Sequence, residues 1–490
     1  MLSKPNVLLI STDHWPAGLF GTAGHPVIHT PTLDTLAQSG VRFPRAYSEC
    51  PVCIPARRTL MTGLSPRGHG DRVFKVDEPM PQVPTVAQTF RNAGYQAYAV
   101  GKLHVYPQRD RIGFDDVVLL EEGRPHLGAI DDYELFLADN GYAGEAFAHG
   151  MSNNEYAQRP WHLPEAMHPT NWTTQQMART IKRRDPTKPG FWYLSYCHPH
   201  PPLAPLQCYL DLYRDEDPGV PYVGDWAADV TELPYALRTV QGKFATMNDS
   251  QIAWAIRAFY ALCTHIDHQL RIVIGTLREE GILDNTIILF TADHGDMLGT
   301  HGLWAKRLFY EQSANVPMIL LGAAGDDRVG HHRIDDRLVG WQDIMPTLLD
   351  LAGIDIPESV EGVSMVAGEG RSYLYGETGE DGQASRMMHD GRYKLIYYPV
   401  GNRVHLFDLV DDPAERYDLS GSREHNEIRG RLSRKLMDQL YGGDEAWIKD
   451  GMLAGLPDQD YLPTPNRGLS GQRGTHNPMP ASGSDVSYVP

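Results

Sequence analysis

Thr286-Ile287-Ile288-Leu289-Phe290-Thr291-Ala292-Asp293-His294-Gly295 is an apolar run that ends abruptly in an acid, an imidazole and a glycine. Such a short run, rich in β-branched residues, reads as a buried strand. The pattern occurs three more times. Val7-Leu8-Leu9-Ile10 runs into Ser11-Thr12-Asp13-His14, and Gln96-Ala97-Tyr98-Ala99-Val100 into Gly101-Lys102-Leu103-His104. Phe191-Trp192-Tyr193-Leu194-Ser195-Tyr196 runs into His198-Pro199-His200-Pro201-Pro202. In open parallel sheets, ligands bind beyond the carboxyl ends of the strands. Four such strands therefore place four clusters of Asp, His and Lys at one edge of one sheet.

Helical patterns fill the intervals. Asn248-Asp249-Ser250 is a cap signal. After it, Ile252, Ile256, Phe259, Cys263, Ile266, Leu270, Val273 and Leu277 recur at steps of four and three, forming one apolar face. Gly281 stops the helix and the strand at Thr286 follows, the α/β rhythm. Residues 105–190 lack this rhythm and read as long loops over the sheet edge. Together with residues 205–248 they would select the substrate. Strand patterns at Ser372–Tyr375, Tyr393–Tyr398 and Val404–Leu409 predict an antiparallel sheet. The expected organisation is one α/β domain over 1–370, a smaller α+β domain over 371–455 and an extended tail over 456–490. That tail, poor in apolar residues, reads as disordered or as an arm on a neighbouring subunit.

The 490 residues carry a formal net charge of -18. An acidic chain without a Lys/Arg tract is a poor nucleic-acid binder. Five cysteines do not make a disulfide framework. The first residues lack the apolar core of a signal peptide, and no run approaches the roughly 18 apolar residues of a membrane span. A cytoplasmic protein with no nucleic-acid or membrane partner is expected, forming a homo-oligomer.

Cys50-Pro51-Val52-Cys53-Ile54-Pro55-Ala56-Arg57-Arg58-Thr59-Leu60-Met61-Thr62-Gly63 carries the most chemistry. Pro55 suits a first helical turn and Gly63 a helix end. Cys53 would sit just before the helix, where free N–H groups and the dipole lower a thiol pKa and favour anions. Arg57 falls one turn on. The alternative is a redox or zinc-binding Cys50/Cys53 pair, but no second C-x-x-C completes a zinc site.

Cys53-Ile54-Pro55-Ala56-Arg57, with Leu60 and Thr62-Gly63, resembles the sulfatase signature C-x-P-[S/A]-R-x-x-x-L-x-G. Gly101-Lys102-Leu103-His104 resembles that family's G-K-x-H, and Pro199-His200-Pro201-Pro202 its P-H-x-P. Thr291-Ala292-Asp293-His294-Gly295-Asp296 resembles its T-x-D-[N/H]-G. Lys306 matches a downstream lysine and Asp13 the first-strand aspartate. The matches keep family order over residues 6 to about 320. The resemblance implies an alkaline-phosphatase-like fold with a mixed, mostly parallel sheet flanked by helices and a smaller C-terminal α+β domain.

It also implies a mechanism. Cys53 would be oxidised to formylglycine by a formylglycine-generating maturation enzyme. The hydrated aldehyde would attack sulfur through one hydroxyl, forming a covalent intermediate, and the other hydroxyl would drive release of sulfate. Asp13, Asp293, His294 and residue 53 would hold one divalent metal. Arg57 would polarise the modified residue, and Lys102 and Lys306 would bind the transferring oxyanion. His104 would act on the second hydroxyl, and His200 on sulfate or the leaving oxygen. His14 is a further metal ligand or a packing residue. Asp13-His14 and Asp293-His294 stand where many sulfatases have Asp-Asp and Asp-Asn. The softer donor set resembles the branch of phosphonate monoester hydrolases and choline-sulfatase-like enzymes and admits manganese beside calcium. Metal-dependent hydrolysis of a small-molecule sulfate ester is expected, the alternative being a phosphonate monoester or phosphodiester at the same site.

Overall fold

The computed structural model describes residues 4–122, 130–151, 153–241 and 247–461. In chain order its main strands are β1 (Asn6–Thr12), β2 (Val41–Arg42), β3 (Ala46–Tyr47), β4 (Gln96–Gly101), β5 (Asp116–Leu119), β6 (Gly190–Ser195), β7 (Thr286–Ala292), β8 (Met318–Leu321), β9 (Arg333–Ile334) and β10 (Val339–Gly340). Eight of them form one sheet in the order β5-β4-β6-β1-β7-β8-β2-β9, and β3 pairs with β10. The four strands expected from the sequence are neighbours at its centre and all parallel. Leu9 on β1 pairs with Tyr193 on β6 and with Leu289 on β7. β8 alone runs antiparallel to both its neighbours.

Helices flank this sheet. Asp249–Glu279 starts on a capping box between Asn248 and Gln251. Its apolar face, from Ile256 to Leu277, is buried with the strands in one core. The helices Pro31–Ser39 and Pro169–Lys182 pack against it. Asp267 on the long helix accepts from the N–H groups of Thr32 and Leu33, capping the first of these.

Residues 105–190 are more ordered than expected: they contain edge strand β5 and the helices Asp132–Asp139 and Pro169–Lys182. The latter buries Thr170, Thr173, Thr174 and Asn171 beside Trp172, Met177 and Ile181. A core-facing stripe built on threonine and asparagine leaves little hydrophobic period to read. Its start is fixed by Pro169 and by His168, whose side chain accepts from Thr170 N–H.

The C-terminal sheet is antiparallel, with β11 (Leu374–Thr378), β12 (Ser385–His389), β13 (Tyr393–Tyr398) and β14 (Arg403–Asp408) in sequence order. Strand β12 has no β-branched residue, and its buried Arg386 is paired with Asp444 at 2.8 Å. Leu456 bonds back to Pro399; the tail expected beyond it lies, from residue 462, outside the described residues. Among the described residues no helix is long and apolar enough to cross a membrane.

Candidate active site

The order β4-β6-β1-β7 lines up the four strand ends, and their backbones are tied to one another. Lys102 N–H donates to Ser195 O, Asp13 N–H to His198 O and Asp293 N–H to Thr12 O. Gly101 has φ +104, and a Cβ there would stand 1.8 Å from Ser195 O. Only glycine lets β4 turn out beside β6 at this point.

Cys53 is the first residue of the helix Cys53–Thr62, which ends on Gly63 at φ 66. Its thiol is wholly buried. Lys306 Nζ lies 2.8 Å from Sγ, His294 Nε2 3.3 Å and Asp13 Oδ1 3.7 Å. Burial and Asp13 push the thiol pKa up, but Lys306, Lys102 and His294 together leave it lowered. Cys50 differs: burial and nearby carboxylates push its thiol well up. Both cysteines are free, and their surroundings push the two thiols in opposite directions.

Arg57 reaches the same point from one turn further along the helix. Its Nε donates to Asp293 Oδ2 at 3.2 Å. Its Nη1 is shared among Lys102 O at 2.8 Å, Ser195 Oγ at 2.7 Å and Tyr193 Oη at 3.1 Å. Nη2 faces Asp293 at 3.2 Å and Asp13 at 3.7 Å but makes no well-formed hydrogen bond among the described residues. The guanidinium is thus clamped on two sides with one nitrogen facing Asp13 and Asp293.

Lys102 is held between Asp13 and Glu122, the latter at 2.8 Å. Burial raises the Asp13 pKa, but Lys102, His200 and Lys306 bring it well below the usual carboxylate range. Lys306 Nζ also lies 2.7 Å from His14 Nε2. His200 donates from Nδ1 to Pro201 O at 2.5 Å, and its buried Nε2 has no partner among the described residues. Burial holds His200 and His14 neutral, well below the ordinary histidine pKa. The two rings meet edge-on, 4.4 Å between centroids. His104 is buried on the Lys102 loop with φ 61, its N–H donating to Glu121 at 2.8 Å.

Asp13, Cys53, Asp293 and His294 present donor atoms close enough to share one ion, and Asp13, His14 and His200 form a second, overlapping group. His294 Nε2 lies 3.5 Å from both Asp13 Oδ1 and Asp293 Oδ1, a spacing suited to donors of a single coordination sphere. Burial and the Asp13 charge push the Asp293 pKa up. Two buried carboxylates, an imidazole and a thiol-bearing position fit a divalent cation in charge and donor type.

Several groups here carry no motif signal. Ser11, Tyr193 and Ser195 support Arg57 from β1 and β6; hydroxyls inside apolar strands were their only mark. Glu122 and Tyr156, whose hydroxyl donates to Asp296, come from loops without a pattern. Four other histidines have partners or exposure of their own. His69 bonds Thr59 at 3.0 Å, His265 bonds Asn171 at 2.5 Å, and His331 and His332 are exposed.

A family model described as Sulfatase matches residues 5–354, and one described as N-sulphoglucosamine sulphohydrolase, C-terminal, matches residues 299–441. An arylsulfatase of Clostridium perfringens is 34% identical over 476 residues, covering 93% of this chain and 98% of its own. A choline-sulfatase of Rhizobium meliloti is 30% identical over 432 residues, 85% of this chain and 82% of its own. The phosphonate monoester hydrolase structure from Silicibacter pomeroyi shares the fold at a TM-score of 0.75, with 24% identity over 89% of this chain and 94% of that one.

Proposed function

The chain belongs to the sulfatase family, a sulfuric ester hydrolase, and from that premise we propose that it works through a formylglycine made from Cys53 beside one divalent cation. The observation that carries this reading is the position of Cys53 Sγ, 2.8 Å from Lys306 and 3.3 Å from His294, inside a buried ring of Asp13, Asp293 and Arg57. When present, the hydrated aldehyde supplies an oxygen nucleophile, and the cation makes it easier to ionise.

The remaining work falls to side chains of this chain. Asp13, Asp293 and His294 would hold the cation, and His14 Nε2 would be a further donor; this set would accommodate manganese as well as calcium. Arg57 Nη2 directs the oxygen at residue 53. Lys102 and Lys306 bind the sulfuryl oxygens where charge accumulates. With Nδ1–H donating to Pro201 O and the ring neutral, His200 Nε2 carries the lone pair; it would take up the proton released as the nucleophile ionises and pass it to the leaving oxygen. His104 would accept the proton of the second hydroxyl. All these groups lie in the catalytic domain, residues 1–370.

The test compares purified protein on an aryl sulfate and on the matching aryl phosphonate monoester. Sulfate hydrolysis at least equal to phosphonate hydrolysis is expected. A sulfate rate far below the phosphonate rate would replace this reading with the phosphonate one.

A further inference from the structure

Next to His200 and Glu122 lies a cavity of about 50 Å³, walled chiefly by Leu120, Tyr133, Phe147, Trp161 and Pro202. Its walls are apolar, yet besides His200 three of the described residues around it hold buried polar atoms with no hydrogen-bond partner among the described residues. They are Oδ1 and Nδ2 of Asn153, Nε1 of Trp161 and Nε2 of His198. Asn153 is 3% exposed and His198 6%, so solvent satisfies neither. Folded chains rarely leave buried polar groups unpaired, and four such atoms around one apolar cavity mark a wall that faces a ligand. Among the described lining residues the one carboxylate, Glu122, is held by Lys102 at 2.8 Å. His198 is a neutral imidazole, with burial bringing its pKa to about 4.

Resting on the sulfatase reading, we infer that this cavity receives the alcohol half of the ester. The alcohol is small and uncharged, apolar over most of its surface, and carries a polar group for Asn153, Trp161 or His198. A sugar is a poor occupant, because its ring of hydroxyls would meet carbon on most sides and lose its hydrogen bonds to water. The shared position of His200 joins the cavity to the chemistry: an alcohol seated there leaves its ester oxygen beside Nε2.

The test uses the sulfate ester of tyrosol on its primary hydroxyl and glucose 6-sulfate. Both are esters of primary alcohols, so their intrinsic leaving tendencies are similar. The tyrosol ester should show a kcat/KM higher by about tenfold or more. Ala146→Leu, which narrows the cavity from a half-buried position, and Asn153→Ala should each raise its KM by roughly fivefold. Preference for the glucose ester, or an unchanged KM in both variants, would overturn the inference. A second measurement needs no turnover: calorimetric titration of the resting protein with free tyrosol. Binding to the parent, weakened in both variants, is expected; no binding, or equal binding in all three, would overturn the inference. Tyrosol binding without hydrolysis of either ester would count against the sulfatase reading alone.

Discussion

His14 Nδ1 stands 2.7 Å from Asp296 Oδ2, and this contact decides which nitrogen the imidazole presents to the catalytic centre. The other face of Asp296 accepts from the N–H groups of Leu298 and Ala305, and Tyr156 adds a third donor. Burial raises the pKa of Asp296, but with these three donors the carboxylate remains the acceptor. Nδ1 therefore carries the hydrogen and Nε2 the lone pair. A carboxylate behind a ligating histidine typically tunes metal affinity by about 10–100-fold. Asp296→Asn should weaken binding of a divalent cation by an amount in that range, read by calorimetry on the metal-free protein. Unchanged affinity would place His14 outside the coordination sphere.

Arg57 depends on hydroxyls that no motif marks. Tyr193 Oη lies 2.8 Å from Ser11 Oγ and 3.1 Å from Arg57 Nη1. Tyr193→Phe keeps the ring and removes this support, so kcat should fall by about tenfold, the scale of one hydrogen bond to a charged group. Ser195→Ala should act alike. Because both accept from Nη1, the double variant should lose less than the product of the single losses. Independent effects in steady-state kinetics would mean that the hydroxyls do not act through Arg57.

Lys306 touches both the Cys53 thiol and His14. If Lys306 binds the sulfuryl oxygens as proposed, Lys306→Ala should lower kcat/KM by about 10²–10³-fold. Cys50→Ser should leave turnover within about threefold of the parent, since burial and the charges of Asp71 and Glu377 push the Cys50 thiol well up, away from the thiolate form. Loss of all hydrolysis in the serine variant would restore the dithiol reading of Cys50 and Cys53.

Glu121 makes the fold sensitive to pH. Its Oε1 accepts from the N–H groups of Leu103 and His104, and its Oε2 is buried without a partner among the described residues. Burial lifts its pKa to about 7 from 4.5. Between those values the folded chain keeps a proton that the unfolded chain releases, so this group's contribution to stability falls as pH rises. Glu121→Gln stays neutral in the same shape. Relative to the parent it should gain ~3 kcal/mol in going from about pH 5 to pH 8, since each pH unit between the unfolded and folded pKa values contributes ~1.4 kcal/mol. Urea denaturation at the two pH values measures the difference; a gain that does not grow with pH would contradict the assignment.

What was legible in the sequence were the groups whose chemistry follows a strand end. Asp13, Lys102, His200 and Asp293 each terminate an apolar run, and parallel pairing brings such ends together. Cys53 and Arg57 were legible because a helix start fixes their spacing. Glu122 and Tyr156 were not, since each arrives on a loop placed by tertiary packing rather than by local pattern. The helix Pro169–Lys182 was hidden by its threonine-rich buried face, and β12 by a buried arginine where a strand pattern calls for β-branched residues. The cavity beside His200 draws its walls from six separate stretches between Leu120 and Ala204, a juxtaposition that no spacing encodes.

The central claim is that residue 53 acts as an aldehyde rather than as a thiol. Protein purified with its maturation enzyme should be treated with an aldehyde-specific hydroxylamine, and the peptide containing residue 53 analysed by mass spectrometry. The account predicts an adduct at residue 53 whose yield tracks sulfate-ester activity across preparations. Full activity in protein whose Cys53 remains an unmodified thiol would contradict it.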